Sequence, residues 1–153
     1  MKTKNQIEIF QDKESGITLE VKLDGETLWL DQYQLEILFD TDRTSVGRHL
    51  RNIYASNELD KEATCAKIAQ VQIEGNREIK RNINVYNLDA ILSVGYRVNS
   101  KKGTAFRIWA NKILKEYLVN GYAVNEKRLA QKEQEVQLLK NGIQILSRAI
   151  EEK

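Results

Sequence analysis

Residues 17–23 (ITLEVKL) alternate strictly, with Leu19, Val21 and Leu23 on one face and Thr18, Glu20 and Lys22 on the other, the period of a half-buried strand. Asp24-Gly25 is a strong hairpin-turn signal, and Thr27–Leu30 reads as the returning strand, so an N-terminal β-hairpin is expected. The period then lengthens. Asp31 is placed to cap a short helix in which Leu35, Leu38 and Phe39 share a face. Asp40-Thr41 makes a turn, where aspartate tolerates the left-handed conformation usually taken by glycine. Asp42 caps a second helix, whose Val46, Leu50 and Ile53 recur at spacings of four and three.

From 64 to 86 the period shortens to two. Ala69, Val71 and Ile73 alternate with Gln70 and Gln72; after Glu74-Gly75-Asn76, Ile79, Arg81, Ile83 and Val85 alternate with Lys80, Asn82 and Asn84. Two short helices across a tight turn, followed at once by a hairpin, predict a winged helix-turn-helix over residues 28–86. Asn87 can cap a helix running to about Val98, with Leu88, Ile91, Leu92 and Val94 inward. Asn99–Gly103 should break it. A longer amphipathic helix then spans about Thr104 to Asn120, with Ile108, Trp109, Ile113, Tyr117 and Leu118 inward and Gly121 at its C-cap. Phe106, Trp109 and Tyr117 read as core, not as a base-stacking platform. The fold class expected is α+β: a winged helix-turn-helix with an N-terminal β-hairpin, two further packed helices and a C-terminal helical, coiled-coil-like tail. The domain would cover residues 1–122 and the tail 123–153.

In the tail, Leu129, Val136, Ile143 and Ile150 repeat every seven residues, with Leu139 and Leu146 at the matching d positions. β-branched residues at a with Leu at d favour parallel dimers, and Arg128–Glu133′ and Glu135–Lys140′ would pair across such a dimer. Lys132 and Lys153 at d, Gly142, and a second apolar stripe through Leu138 and Ile145 count against it. A homodimer through residues 126–152 and a helix packed on something else both remain open. The chain stops at Lys153 with no cap, which reads as a cut and not as a designed end.

Charge changes the picture. Glu8–Asp42 holds ten acidic residues against two lysines, a balance of −8; Arg43–Lys115 holds fourteen Lys/Arg against six Asp/Glu, a balance of +8. Ala90–Lys115 has six basic residues and no acid. Segregated charge often marks only a solvated face, but here the basic block begins at the element best placed to meet a phosphate backbone. The candidate DNA-binding residues on the second helix are Arg43, Thr44, Ser45, Arg48, His49 and Asn52, which would read base edges or hold phosphates from the major groove. Arg51 reads as a flank contact or surface charge. Arg77, Lys80 and Arg81 on the hairpin fit minor-groove or backbone contact, or equally a charged hairpin kept unpaired at its edge. Arg97, Lys101, Lys102 and Arg107 would hold backbone phosphates.

No catalytic residue is assigned. There is no G-x-S-x-G, P-loop or H-E-x-x-H, and one histidine with one cysteine cannot supply a metal site. No cofactor or metal is expected. Cys65 has no partner for an internal disulfide, and nothing resembles a signal peptide or membrane span, so a cytoplasmic setting is expected.

At TLWLDQYQLEILF…VGRHLRNIY and at VYNLDAILSVGYRVNSKKGTAFRIWANKILKEYLVNGYAV, the chain resembles the RhuM family of bacterial virulence-associated proteins over roughly residues 7–129. The tail resembles members that continue into a Fic/DOC-type domain, although the H-x-F-x-D/E-G-N-G/K-R motif is absent here. The AFRIWANKILKEYLVNGY segment is distantly similar to the end of the Bro-N domain of phage antirepressors. The resemblance implies DNA binding; with the residues above, it leads us to expect a module that binds double-stranded DNA for transcriptional regulation or autoregulation of a mobile-element or toxin-type operon. A protein-interaction or regulatory module for a C-terminal Fic-type enzyme is the alternative, and intrinsic enzymatic activity such as a nuclease is a third.

Overall fold

The computed structural model describes residues 6–11, 18–22 and 27–152. The described elements are mixed α and β: six helices, a two-stranded sheet and a three-stranded antiparallel sheet. In chain order they are β1 (Gln6–Gln11), β2 (Thr18–Lys22), β3 (Trp29–Asp31), α1 (Gln32–Phe39), α2 (Arg43–Ala55), α3 (Lys61–Thr64), β4 (Cys65–Glu74), β5 (Arg77–Asn87), α4 (Leu88–Arg97), α5 (Lys101–Asn120) and α6 (Glu126–Glu151).

Capping chemistry sets the helix boundaries. Asp31 Oδ1 accepts from Gln34 N at 2.8 Å while Gln34 Oε1 accepts from Asp31 N at 2.9 Å, a reciprocal box that starts α1. Asp40 ends α1 in the left-handed region (φ 48, ψ 58), as its short polar side chain allows. Asp42 Oδ1 accepts from Ser45 N at 2.7 Å to open α2, and Asn87 Oδ1 accepts from Ala90 N at 3.2 Å to open α4. The single turn α3 was not expected. It is tied down by buried Thr64, whose hydroxyl donates to Asp60 O at 2.7 Å and meets the Tyr54 hydroxyl at 3.0 Å.

The opening pairing differs from expectation. β2 pairs with β1, while Trp29–Asp31 joins β5 instead of returning along β2, giving the order β3-β5-β4. The Asp24-Gly25 turn lies outside the described residues. β4 and β5 form a long hairpin closed by Gly75 and Asn76, with Gly75 at φ +63, the glycine-first form that two-residue turns favour.

The core lies between α1, α2, α4, the first half of α5 and the base of the sheet. Leu28, Leu30, Leu35, Phe39, Val46, Ile53, Ile91, Val94, Val98 and Phe106 are fully buried there. Phe106 meets Phe39 edge-on at 5.4 Å and Tyr96 at 5.8 Å, the arrangement aromatic quadrupoles favour.

α5 corrects two expectations. It starts at Lys101, not near Thr104, because Ser100 Oγ accepts from Gly103 N at 2.9 Å while donating to Phe39 O at 2.6 Å. A Cβ on Gly103 would lie 2.6 Å from Val98 O, so the close approach of α5 to the end of α4 requires glycine. Its inward face is Gly103, Phe106 and Ala110; Ile108, Trp109, Tyr117 and Leu118 are exposed. The chain divides into a unit ending at Lys112 and a unit beginning at Ile113, and α6 in the latter has no buried residue. No described helix is long and apolar enough to cross a membrane.

Candidate nucleic-acid interface

With Val46, Leu50 and Ile53 turned into the core, α2 directs its opposite arc outward. Arg43, Thr44, Arg48, Arg51 and Asn52 are exposed on it, and Ser45 and His49 are half-buried at its margins. The helix is fixed at its start by a contact that sequence reading missed: Gln32 Nε2, from the first turn of α1, donates to Arg43 O at 3.0 Å. Gly47 makes room for it, since a Cβ there would lie 3.0 Å from that same amide nitrogen. A polar residue at the start of one helix and a glycine in the next are a faint joint signature of two helices held close at their N-terminal ends.

Not every candidate is equally available. Ser45 Oγ donates to Asp42 Oδ2 at 3.3 Å and its N–H to Oδ1, so Ser45 belongs to the cap. The Ser45 amide, with help from the Ser45 hydroxyl, Arg48 and the Thr44 amide, holds the Asp42 carboxyl below the usual carboxylate range. His49 is held below its ordinary value first by burial and then by Arg48 and Arg97. α4 packs on α2 and so brings Arg97 within electrostatic reach of His49, joining positions far apart in sequence. Arg97 is itself paired, donating from Nη2 to Glu58 Oε2 at 2.9 Å.

The hairpin residues divide. Opposed residues of an antiparallel pair share a face, so the pairings Glu74↔Arg77 and Gln70↔Arg81 put Arg77 and Arg81 together, while Val71↔Lys80 puts Lys80 on the other face. The same register sets Val71 and Ile73 on the face opposite Ile79 and Ile83. The outer hairpin therefore has no single apolar face to bury, and both sides are largely exposed. Arg81 Nη2 lies 2.6 Å from Glu74 Oε1.

Beyond the hairpin, Lys101 is exposed, and half-buried Lys102 points Nζ at Ile37 O, 3.4 Å away. Arg107 serves the fold. Its Nη1 donates to Gly95 O at 3.1 Å and Val98 O at 2.7 Å, and its Nη2 to Thr104 Oγ1 at 3.2 Å. A guanidinium fork thus satisfies carbonyls that the end of α4 leaves unpaired.

The family model described as "Virulence protein RhuM family" matches residues 63–146, more than half of the chain. The chain belongs to the RhuM family. In this RhuM chain the matched region begins at α3 and takes in the β4–β5 hairpin, α4, α5 and most of α6. No curated protein and no solved structure matches it. Within the RhuM match lie the hairpin's Arg77, Lys80 and Arg81 together with Arg97, Lys101, Lys102 and Arg107, while the exposed arc of α2 precedes it.

Proposed function

We propose that this RhuM-family chain is a double-stranded DNA-binding module of the winged helix-turn-helix kind, acting in the cytoplasm as a transcriptional regulator of a mobile-element or virulence operon. One observation carries the reading: an exposed polar and basic arc on α2, formed by Arg43, Thr44, Arg48 and Asn52, follows a tight turn from α1 and precedes a solvent-exposed hairpin. The sheet order β3-β5-β4 adds support, because it anchors the base of that hairpin to the strand that leads into α1.

In this reading α2 enters the major groove, with Arg48 and Asn52 facing base edges and Arg43 and Thr44 facing phosphates. The Arg77 and Lys80 faces of the hairpin straddle the adjoining backbone. Arg97 and Lys101 add phosphate contacts; Ser45, Lys102 and Arg107 support the helices that present them. A protein-docking role is the second reading, favoured by the exposure of Ile108, Tyr117 and Leu118 along α5.

Fluorescence anisotropy of the chain with labelled random duplex, read across a salt series, separates the two. DNA binding gives micromolar affinity that falls steeply with salt, by about 0.9 logarithmic unit per phosphate neutralised for each decade of salt. A chain that leaves random duplex unbound at low salt is the docking module.

A further inference from the structure

We infer that α6 is one strand of a parallel, two-stranded coiled coil formed with a second copy of this chain. The helix is continuous from Glu126 to Glu151, started by Asn125, whose Oδ1 accepts from Arg128 N at 3.0 Å. None of its residues is buried, and Leu129, Val136, Leu139, Ile143, Leu146 and Ile150 are all exposed. An amphipathic helix owes most of its stability in water to packing along its apolar face. From Leu129 to Ile150 these six residues fill every a and d position of one heptad frame except the d position of Lys132, so the open face is an apolar seam that is unbroken from Val136 onward.

Charge complementarity selects a second copy, and its direction. In a parallel pair, Arg128 at g faces Glu133 of the other chain at e, and Glu135 at g faces Lys140 at e. Both contacts join opposite charges, and the two-fold axis repeats them. In an antiparallel pair g meets g and e meets e, which sets Arg128, Glu133 and Glu135 against the uncharged Ala149, Ser147 and Gly142 and brings Lys140 against Lys140 of the other copy. Within one chain Lys132 Nζ, on a well-exposed side chain, lies 3.6 Å from Glu135 Oε2, a weak contact that a closer partner such as Lys140 of a second copy can displace. β-branched Val136, Ile143 and Ile150 at a, with Leu139 and Leu146 at d, favour two strands. A parallel pair has its dyad along the coil; if the DNA reading above holds, the matching site is an inverted repeat.

Sedimentation equilibrium of the full chain without DNA reads the assembly directly. The expected species is a reversible dimer at micromolar concentration, with Ile143→Asp raising its dissociation constant by about a hundredfold or more. Glu135→Lys should weaken the dimer several-fold, and adding Lys140→Glu should restore it. Direction is read by oxidising Ile150→Cys in a Cys65→Ser background. The two thiols meet in a parallel pair, whereas antiparallel pairing sets each beside Leu129 of the other chain, about 32 Å away along the helix. A monomer at all concentrations, a larger assembly, or a dimer that does not cross-link at 150 overturns the inference. A monomer that still binds duplex overturns the pairing alone, and a dimer that ignores duplex overturns the DNA reading alone.

Discussion

The region from Leu28 to Ala110 and helix α6 are both rich in aliphatic residues, yet they use them in opposite ways. All the buried hydrophobic residues among those described fall between Leu28 and Ala110; α6 contributes none. The first region has several elements whose apolar faces converge, so each side chain finds partners within the chain. α6 is one helix with a stripe, and a stripe needs another surface. Apolar content alone does not say where a protein is stable; the number of converging faces does.

Substitutions can break that comparison. Phe106→Ala removes a fully buried ring that packs on Phe39 and Tyr96, and should cost about 3–5 kcal/mol in urea unfolding followed by tryptophan fluorescence. A loss below about 1 kcal/mol would remove Phe106 from the centre of the core. Gly95→Ala approaches the same ring from α4, where a Cβ would lie 2.4 Å from Phe106 Cε1. The alanine gains helix propensity of about 1 kcal/mol, but the overlap should outweigh it and leave a net loss of about 1–3 kcal/mol. A more stable variant would mean that the ring yields freely.

Asp31→Ala deletes the capping box of α1 and should cost about 1 kcal/mol by the same unfolding measurement. Leu146→Ala, in the exposed seam of α6, should leave the Leu28–Ala110 core within about 0.5 kcal/mol of the parent. A loss matching that of Phe106→Ala would end the contrast between the two regions. The smallest effect concerns pH. Because the folded-state value of His49 lies below the ordinary 6.5, the unfolded chain takes up the proton first as pH falls. Its contribution is neutral well above 6.5 and becomes destabilising as pH drops through 6.5 toward the folded value. His49→Gln should therefore show less loss of stability between about pH 7.5 and 5.5 than the parent, in urea midpoints at each pH.

Short-range chemistry was legible in the sequence. Asp31, Asp42 and Asn87 cap the helices they were expected to cap, Asp40 takes the left-handed turn, and Val46, Leu50 and Ile53 form the buried face of α2. Pairing between distant segments was less legible. Alternation in β2 identified a strand but not its partner, and Trp29–Asp31 finds β5 more than fifty residues away. The inward face of α5 was misread because size was taken as the guide. Gly103 and Ala110, too small to register in a hydrophobic period, let the helix sit close with Phe106 between them, while the larger Ile108 and Trp109 stay outside. The same limit applies to the interface. Helical phase placed Arg48 and Asn52 on the outer arc, but the engagement of Arg107 with α4 carbonyls and of Arg97 with Glu58 depends on contacts between helices.

In the DNA-binding reading proposed above, the exposed arc of α2 meets the duplex. Anisotropy titrations of the parent, Arg48→Ala and Lys80→Ala, on a selected duplex and on a random one, test it most directly. Arg48→Ala should lose about tenfold or more on the selected duplex and little on the random one. Lys80→Ala should lose a smaller and equal amount on both, with a reduced salt slope. An Arg48→Ala chain that binds the selected duplex as tightly as the parent, or a parent that selects no duplex at all, would contradict the account.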